Sequence, residues 1–210
     1  MTVEGEPDPD ALPGQARMVA FVDASVAIAL TLLVLQLTEL VPSDDRPAGP
    51  PQDLVLDNLS VFGSFVLSFA VIGRFWLVHH RLFGFGARLT RGLVLLNLLW
   101  VLTIVVLPFT TQMVSTYGSE PFVLRLYIAV LAVCSGLLTA MTVLMRRTGL
   151  AEGDLRRPPD VFVTRMIAAT GNVVLAFLLA VVVPAVGYLA LLALLLDPLT
   201  TRLVARLRRR

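Results

Sequence analysis

The chain has 210 residues, of which 57% are hydrophobic and 15% charged, with a net charge of +2 and a mean hydropathy of +0.83. That leaves too little charged side chain to cover a soluble domain, and the chain reads as a membrane protein. A charge so small gives no nucleic-acid signal, and the single cysteine, Cys134, rules out an internal disulfide.

Residues 1–16, MTVEGEPDPDALPGQA, are acidic and rich in proline and glycine. They read as a disordered tail, since their charge is wrong for the basic head of a signal peptide. Six spans follow, at 17–40, 57–83, 91–114, 121–146, 161–183 and 184–204, each supplying the ~20 apolar residues that ~30 Å of hydrocarbon requires of a helix. The last two are divided only at VVVPAVGY, where Pro184 and Gly187 suit a tight hairpin. One unbroken helix of ~40 residues would be twice the membrane thickness. Residues 205–210 form a basic tail. The predicted fold class is therefore an all-α integral membrane protein with six transmembrane helices per subunit, its membrane domain running over 17–204.

Every basic side chain apart from two histidines is arginine. Arg81, Arg88 and Arg91 fall between spans 2 and 3, Arg146, Arg147, Arg156 and Arg157 between spans 4 and 5, and Arg202, Arg206, Arg208, Arg209 and Arg210 at the end. The 1–2 connection carries only Arg46 against several acids, and VSTYGSEP between spans 3 and 4 carries none. The positive-inside rule then puts both termini in the cytoplasm, as an even span count requires, in a multi-pass protein of the plasma membrane. The tail RLVARLRRR is placed to meet anionic lipid head groups and serves equally as a topology anchor. No inverted repeat of the transporter kind is visible.

Ionisable residues inside spans are costly and mark either function or internal pairing. Asp23 lies about six residues into span 1, ~9 Å from its cytoplasmic end. Span 2 returns GRFWLVHHRLF to that depth, which offers Arg74, Trp76, His79 and His80 as partners, and span 3 adds Asn97. Two readings stand: a polar staple between helices, or proton handling by Asp23, His79 and His80. The adjacent histidines point about 100° apart on a helix, so no two-histidine metal site is expected. No catalytic, nucleotide or cofactor motif occurs, and no enzyme is expected. The row Ser60, Ser64, Ser68 suits helix packing.

On a wheel of about 100° per residue, Ile28, Leu32 and Leu35 fall within about 60° of one another, beside a run of small residues at Ala20, Ala24, Ala27 and Thr31. Asp23 points about 140° away from Ile28. The stripe serves lipid contact or core packing in one reading, and a central axis in the other.

The sequence RMVAFVD in span 1 resembles the R-x-x-x-F-S-D motif of the transmembrane protein 175 family of potassium channels. Arg17, Phe21 and Asp23 are in place, with Val22 where the family has serine. AIALTLLVLQL, GRFWLVHHRLF and LNLLWVLTIVVLPFTT are similar to bacterial members, while spans 4 to 6 are similar mainly in hydropathy. The resemblance implies a homotetramer of six-span subunits that conducts K⁺ passively and with modest selectivity, with no cofactor or metal. Span 1 would line the pore, with Ile28, Leu32 and Leu35 as a hydrophobic gate and Thr31 influencing selectivity. It further implies a structural network of Arg17, Phe21, Asp23, Arg74, Trp76, His79 and Asn97. Gln36 stands where many relatives carry an acid, with Glu39 nearby. The alternative function is a secondary transporter or proton-coupled carrier, which calls for a polar site near the midplane, where span 1 is apolar.

Overall fold

The structure is a computed structural model and describes residues 14–42, 49–87, 89–118, 120–147 and 158–182. All regular elements among these residues are helices: α1 (Gln15–Leu32), α2 (Leu35–Thr38), α3 (Pro51–Leu56), α4 (Leu59–Phe83), α5 (Arg91–Tyr117), α6 (Pro121–Arg147) and α7 (Asp160–Val182). Five stretches are long and apolar enough to cross a membrane, with α1 and α2 together forming the first over Gln15–Thr38. The expected spans 1 to 5 thus correspond to α1–α2, α4, α5, α6 and α7, and the protein is an all-helical, multi-pass membrane protein. The expected span at 184–204 and the basic tail lie outside the described residues, as do residues 1–13 of the expected N-terminal tail.

Helix ends follow local chemistry. The Thr90 hydroxyl caps α5 by accepting the Leu93 N–H at 3.2 Å, and α5 stops at Gly118, whose φ of +58° suits a residue without a Cβ. Pro108 sits inside α5, a position that membrane helices tolerate because neighbouring groups re-satisfy the freed carbonyl. Helix α3 begins at Pro51 with Asp53 in its first turn, the two residue types that favour a helix start.

α5 is the central helix. It packs on α6, α4 and α1, and α6 in turn packs on α7. Its buried residues Leu93, Asn97, Trp100, Ile104, Leu107 and Thr111 recur at intervals of three and four, a continuous seam along one side. The other side, with Leu95, Leu98, Leu102, Val105 and Phe109, is exposed, as expected of a face turned to lipid.

Hydroxyls tie the helices together inside this apolar frame. The Thr111 hydroxyl donates to Ser68 Oγ at 2.8 Å, and Ser68 lies 3.2 Å from the Tyr127 hydroxyl, joining α4, α5 and α6. Of the serine row on span 2, Ser68 alone makes such a crossing bond among the described residues; the Ser64 hydroxyl turns back to its own helix at Val61 and Ser60 is exposed. Ser135, Thr139 and Thr170 cluster at 2.8 Å separations between α6 and α7. At one end of that pair Arg146 forms an ion pair with Asp160. At the other, Arg125 donates to the carbonyls of Ala180 and Val181 near the end of the described part of α7.

Candidate pore-lining helix and its polar anchors

Helix α1 has two faces of different character. Met18, Val22, Val26, Ala29, Leu33 and Gln36, again spaced by three and four, are buried against the rest of the subunit. Helices α4 and α5 supply the packing surface. The opposite face is uncovered: Ile28 is 59%, Leu32 40% and Leu35 53% exposed. Ala24 and Thr31 lie on the same exposed side, with the Thr31 hydroxyl turned back to the Ile28 carbonyl at 2.8 Å. Arg17 and Phe21 are exposed too. They stand about 120° and 160° around the helix from Asp23 but within about 20° of Ile28, so they continue the aliphatic stripe toward the start of the helix.

Within one subunit Arg17 and Phe21 stand apart from Asp23, because helical geometry turns them away from it. Asp23 itself, half-buried on the flank of α1, accepts a hydrogen bond from the indole N–H of Trp76 at 2.8 Å. The Trp76 ring lies 5.6 Å from that of His80, and His80 and Asp23 line one cavity between α1 and the end of α4. His79 makes a second, separate pair deeper in the bundle. Its Nε2–H donates to Asn97 Oδ1 at 2.8 Å, since a carboxamide oxygen only accepts. The ring is stacked on Trp100 at 4.5 Å and 17°, with Phe83 also at 4.5 Å. Adjacent histidines therefore face different surroundings, as their divergence on the helix requires. Arg74 is half-buried and lines a cavity together with Ser135, Leu138 and Met166 of α6 and α7.

Val22, at the position where the motif has serine, is 0% exposed and belongs to the apolar core. A methyl-bearing side chain fills that site, and the donor to Asp23 comes from Trp76. At the far end of the span, Gln36 is buried rather than presented at a pore mouth, and its Oε1 accepts from the Ser115 hydroxyl at 3.3 Å. Glu39 is exposed and accepts from Gln112 Nε2 at 2.9 Å.

Two features of α1 escape a reading of residue types. One is a break in the helix at Leu33–Val34, where the Val34 and Leu37 N–H groups bond carbonyls only three residues back, Thr31 and Val34, at 3.1 and 2.9 Å. The stretch TLLVLQL holds no glycine or proline to signal it. The other is Gln15, whose carboxamide bonds both sides of the turn after α4; a lone glutamine at the edge of an acidic tail gives no sequence signal of that kind.

Fold and site together define a polytopic helical membrane protein whose first helix is held by polar anchors on its inner side and bare on its outer side. Residues 17–108, which span most of the first three membrane helices, match the family described as endosomal/lysosomal potassium channel TMEM175. A protein of Streptomyces collinus named as a potassium channel is 39% identical over 104 residues, which cover 50% of this chain and 49% of that protein. The chicken protein named endosomal/lysosomal proton channel TMEM175 is 37% identical over 109 residues, 50% of this chain and 22% of that protein. The chain thus matches half or less of the length of these relatives. The crystal structure of a TMEM175 homologue from Chamaesiphon minutus, titled a lysosomal potassium-selective channel homologue, shares the fold with a TM-score of 0.68 at 20% identity, covering 89% of this chain and 97% of that one.

Proposed function

We propose that the protein is a subunit of a K⁺-permeable cation channel in the plasma membrane, assembled as a homotetramer with both termini in the cytoplasm and with α1 of each subunit lining the pore. The observation that carries this reading is the two-faced burial of α1. Its Gln15 and Asp23 side chains anchor it to its own subunit, while a row of bulky aliphatics faces away from it. Four such rows around an axis make a ring of Ile28, Leu32 and Leu35 that closes by steric block and dewetting. Thr31 flanks that ring and is the one side chain there with a hydroxyl to influence selectivity. Discrimination between K⁺ and Na⁺ is modest, because a hydrophobic ring cannot replace a hydration shell. The names of the bacterial relatives support potassium as the permeant ion, and the chicken relative makes protons the second ion to measure.

The test is flux from liposomes containing the purified protein, with K⁺, Na⁺ or protons as the permeant ion, beside Ile28→Asn. Passive flux with some preference for K⁺, raised or made less selective by the polar substitution, is the expected result. Correctly folded oligomers that pass no ion under any condition would remove the channel reading and favour a carrier with a bound substrate.

A further inference from the structure

Between Asp23 and Gln36, no side chain of the first span reaches another helix through a hydrogen bond among the described residues. The hydroxyls of Ser25 and Thr31 return to the carbonyls of Phe21 and Ile28 on the same helix. Among the described residues the gate-bearing stretch is held to the other helices by apolar packing, which selects a crossing angle only to within about 15–20°. Polar contacts at its ends narrow that range.

At the cytoplasmic end the contact is Gln15, the first residue of α1. Its Nε2 donates to the Phe83 carbonyl at 2.8 Å and its Oε1 accepts the Ala87 N–H at 2.7 Å. One carboxamide therefore grips both sides of the turn that joins α4 to α5. The receptacle is firm: Phe83 and Ala87 are buried, and the Phe83 carbonyl also accepts the Gly86 N–H at 3.0 Å, in a turn whose Gly86 has a φ of +79°. The grip is also chemically selective. A carboxamide offers a donor and an acceptor at the tip of one side chain, whereas a carboxylate only accepts and an ammonium or guanidinium only donates.

We propose that Gln15 is the positioning residue that sets the angle of the pore-lining helix; this rests on the proposal that α1 lines the pore. Gln15 and Asp23 are two fixed points about 12 Å apart along the axis, and two points define a direction where one does not. The fastening at Gln36 and Glu39 acts on α2, beyond the break at Leu33–Val34, and leaves the direction of α1 free. If the Gln15 end slips by about 2 Å, the axis turns by about 10° about Asp23, and Leu32, about 14 Å beyond on the same helix, moves by about 2 Å. Repeated around a ring of subunits, that displacement is comparable to the opening needed to admit an ion.

The experiment uses the full-length protein in lipid nanodiscs and liposomes, with Gln15→Ala and Gln15→Glu. Gln15→Ala is expected to raise amide exchange at Ala87 by about fivefold, the loss of one hydrogen bond, and to change both K⁺ flux and the K⁺/Na⁺ ratio in oligomers of unchanged size. Gln15→Glu keeps the acceptor for Ala87 and regains a donor only when protonated. Its flux relative to wild type should therefore return toward one as the pH falls from about 7 to about 4, a profile that a merely space-filling side chain would not produce. Unchanged exchange at Ala87 overturns the proposal, and so does raised exchange with wild-type flux and selectivity. Absence of flux from the wild-type protein would instead remove the conduction reading, and the exchange result would then decide the anchor by itself.

Discussion

Replacing Asn97 with leucine conserves volume while removing the acceptor of the His79 Nε2–H. Both residues are 0% exposed, and the imidazole is fixed between Trp100 and Phe83, so the freed N–H cannot turn to a new partner without unstacking. Leaving such a donor unsatisfied costs about 1–3 kcal/mol. Interhelical hydrogen bonds within membranes average ~0.6 kcal/mol and reach ~1.7, which puts the expected loss at about 1–1.5 kcal/mol. For a chain of this length that lowers the apparent midpoint by about 2–5 °C. His79→Phe keeps a stacked ring and strands the Asn97 carboxamide, with a loss of similar size. The double variant puts two apolar side chains in contact and should be less destabilised than the sum of the two, by about 0.5–1.5 kcal/mol. Thermal unfolding of the four purified proteins in one detergent, followed by tryptophan fluorescence, gives all the values. Additive single effects would refute the pairing, because two groups that do not touch have nothing to share.

Trp76→Phe removes the donor to the half-buried Asp23, for an expected loss of about 0.5–1.5 kcal/mol, no larger than that of the fully buried pair. Asp23→Asn keeps the carbonyl acceptor and should lose less, in the same thermal measurement. Gly118→Ala meets no neighbouring atom within 4 Å, so its cost comes from the backbone alone. At φ +58° and ψ −121° a Cβ is strained by about 1–3 kcal/mol, and a full loss of expression or an unchanged midpoint would contradict that reasoning.

Much of the fold was legible because membrane helices announce themselves by length. The apolar run of span 2 predicts an end at residue 83, and α4 ends at Phe83; that of span 3 predicts a start at 91, and α5 begins at Arg91, behind the Thr90 cap. What the sequence concealed depends on contacts. Helix α3 lies in the connection between spans 1 and 2, where Pro51 and Asp53 carry a start signal but no long apolar run follows within the connection. The polar residues of spans 1 to 3 were recognised as a set, yet their division into Asp23–Trp76 and His79–Asn97 depends on ring orientations and helix rotation that residue types do not encode. Phe21 and Arg17 were grouped with Asp23 by motif, while the helix wheel sets them with Ile28. The buried position of Gln36 was hidden for a similar reason: its neighbours Leu35 and Leu37 are apolar, so nothing local says which side of α2 turns inward.

The most direct measurement is the accessibility of α1 from the conduction path. With Cys134, the one native cysteine and a buried one, replaced by alanine, single cysteines at positions 26, 28, 29, 32, 33 and 35 are each exposed to a charged methanethiosulfonate reagent during K⁺ flux. If the uncovered face of α1 lines the pore, Ile28→Cys, Leu32→Cys and Leu35→Cys will be modified and the flux changed, whereas Val26→Cys, Ala29→Cys and Leu33→Cys will be inert. Modification without that periodicity, or modification of the three exposed positions with no effect on flux, would show that the face meets lipid or another surface and that α1 is not the pore-lining helix.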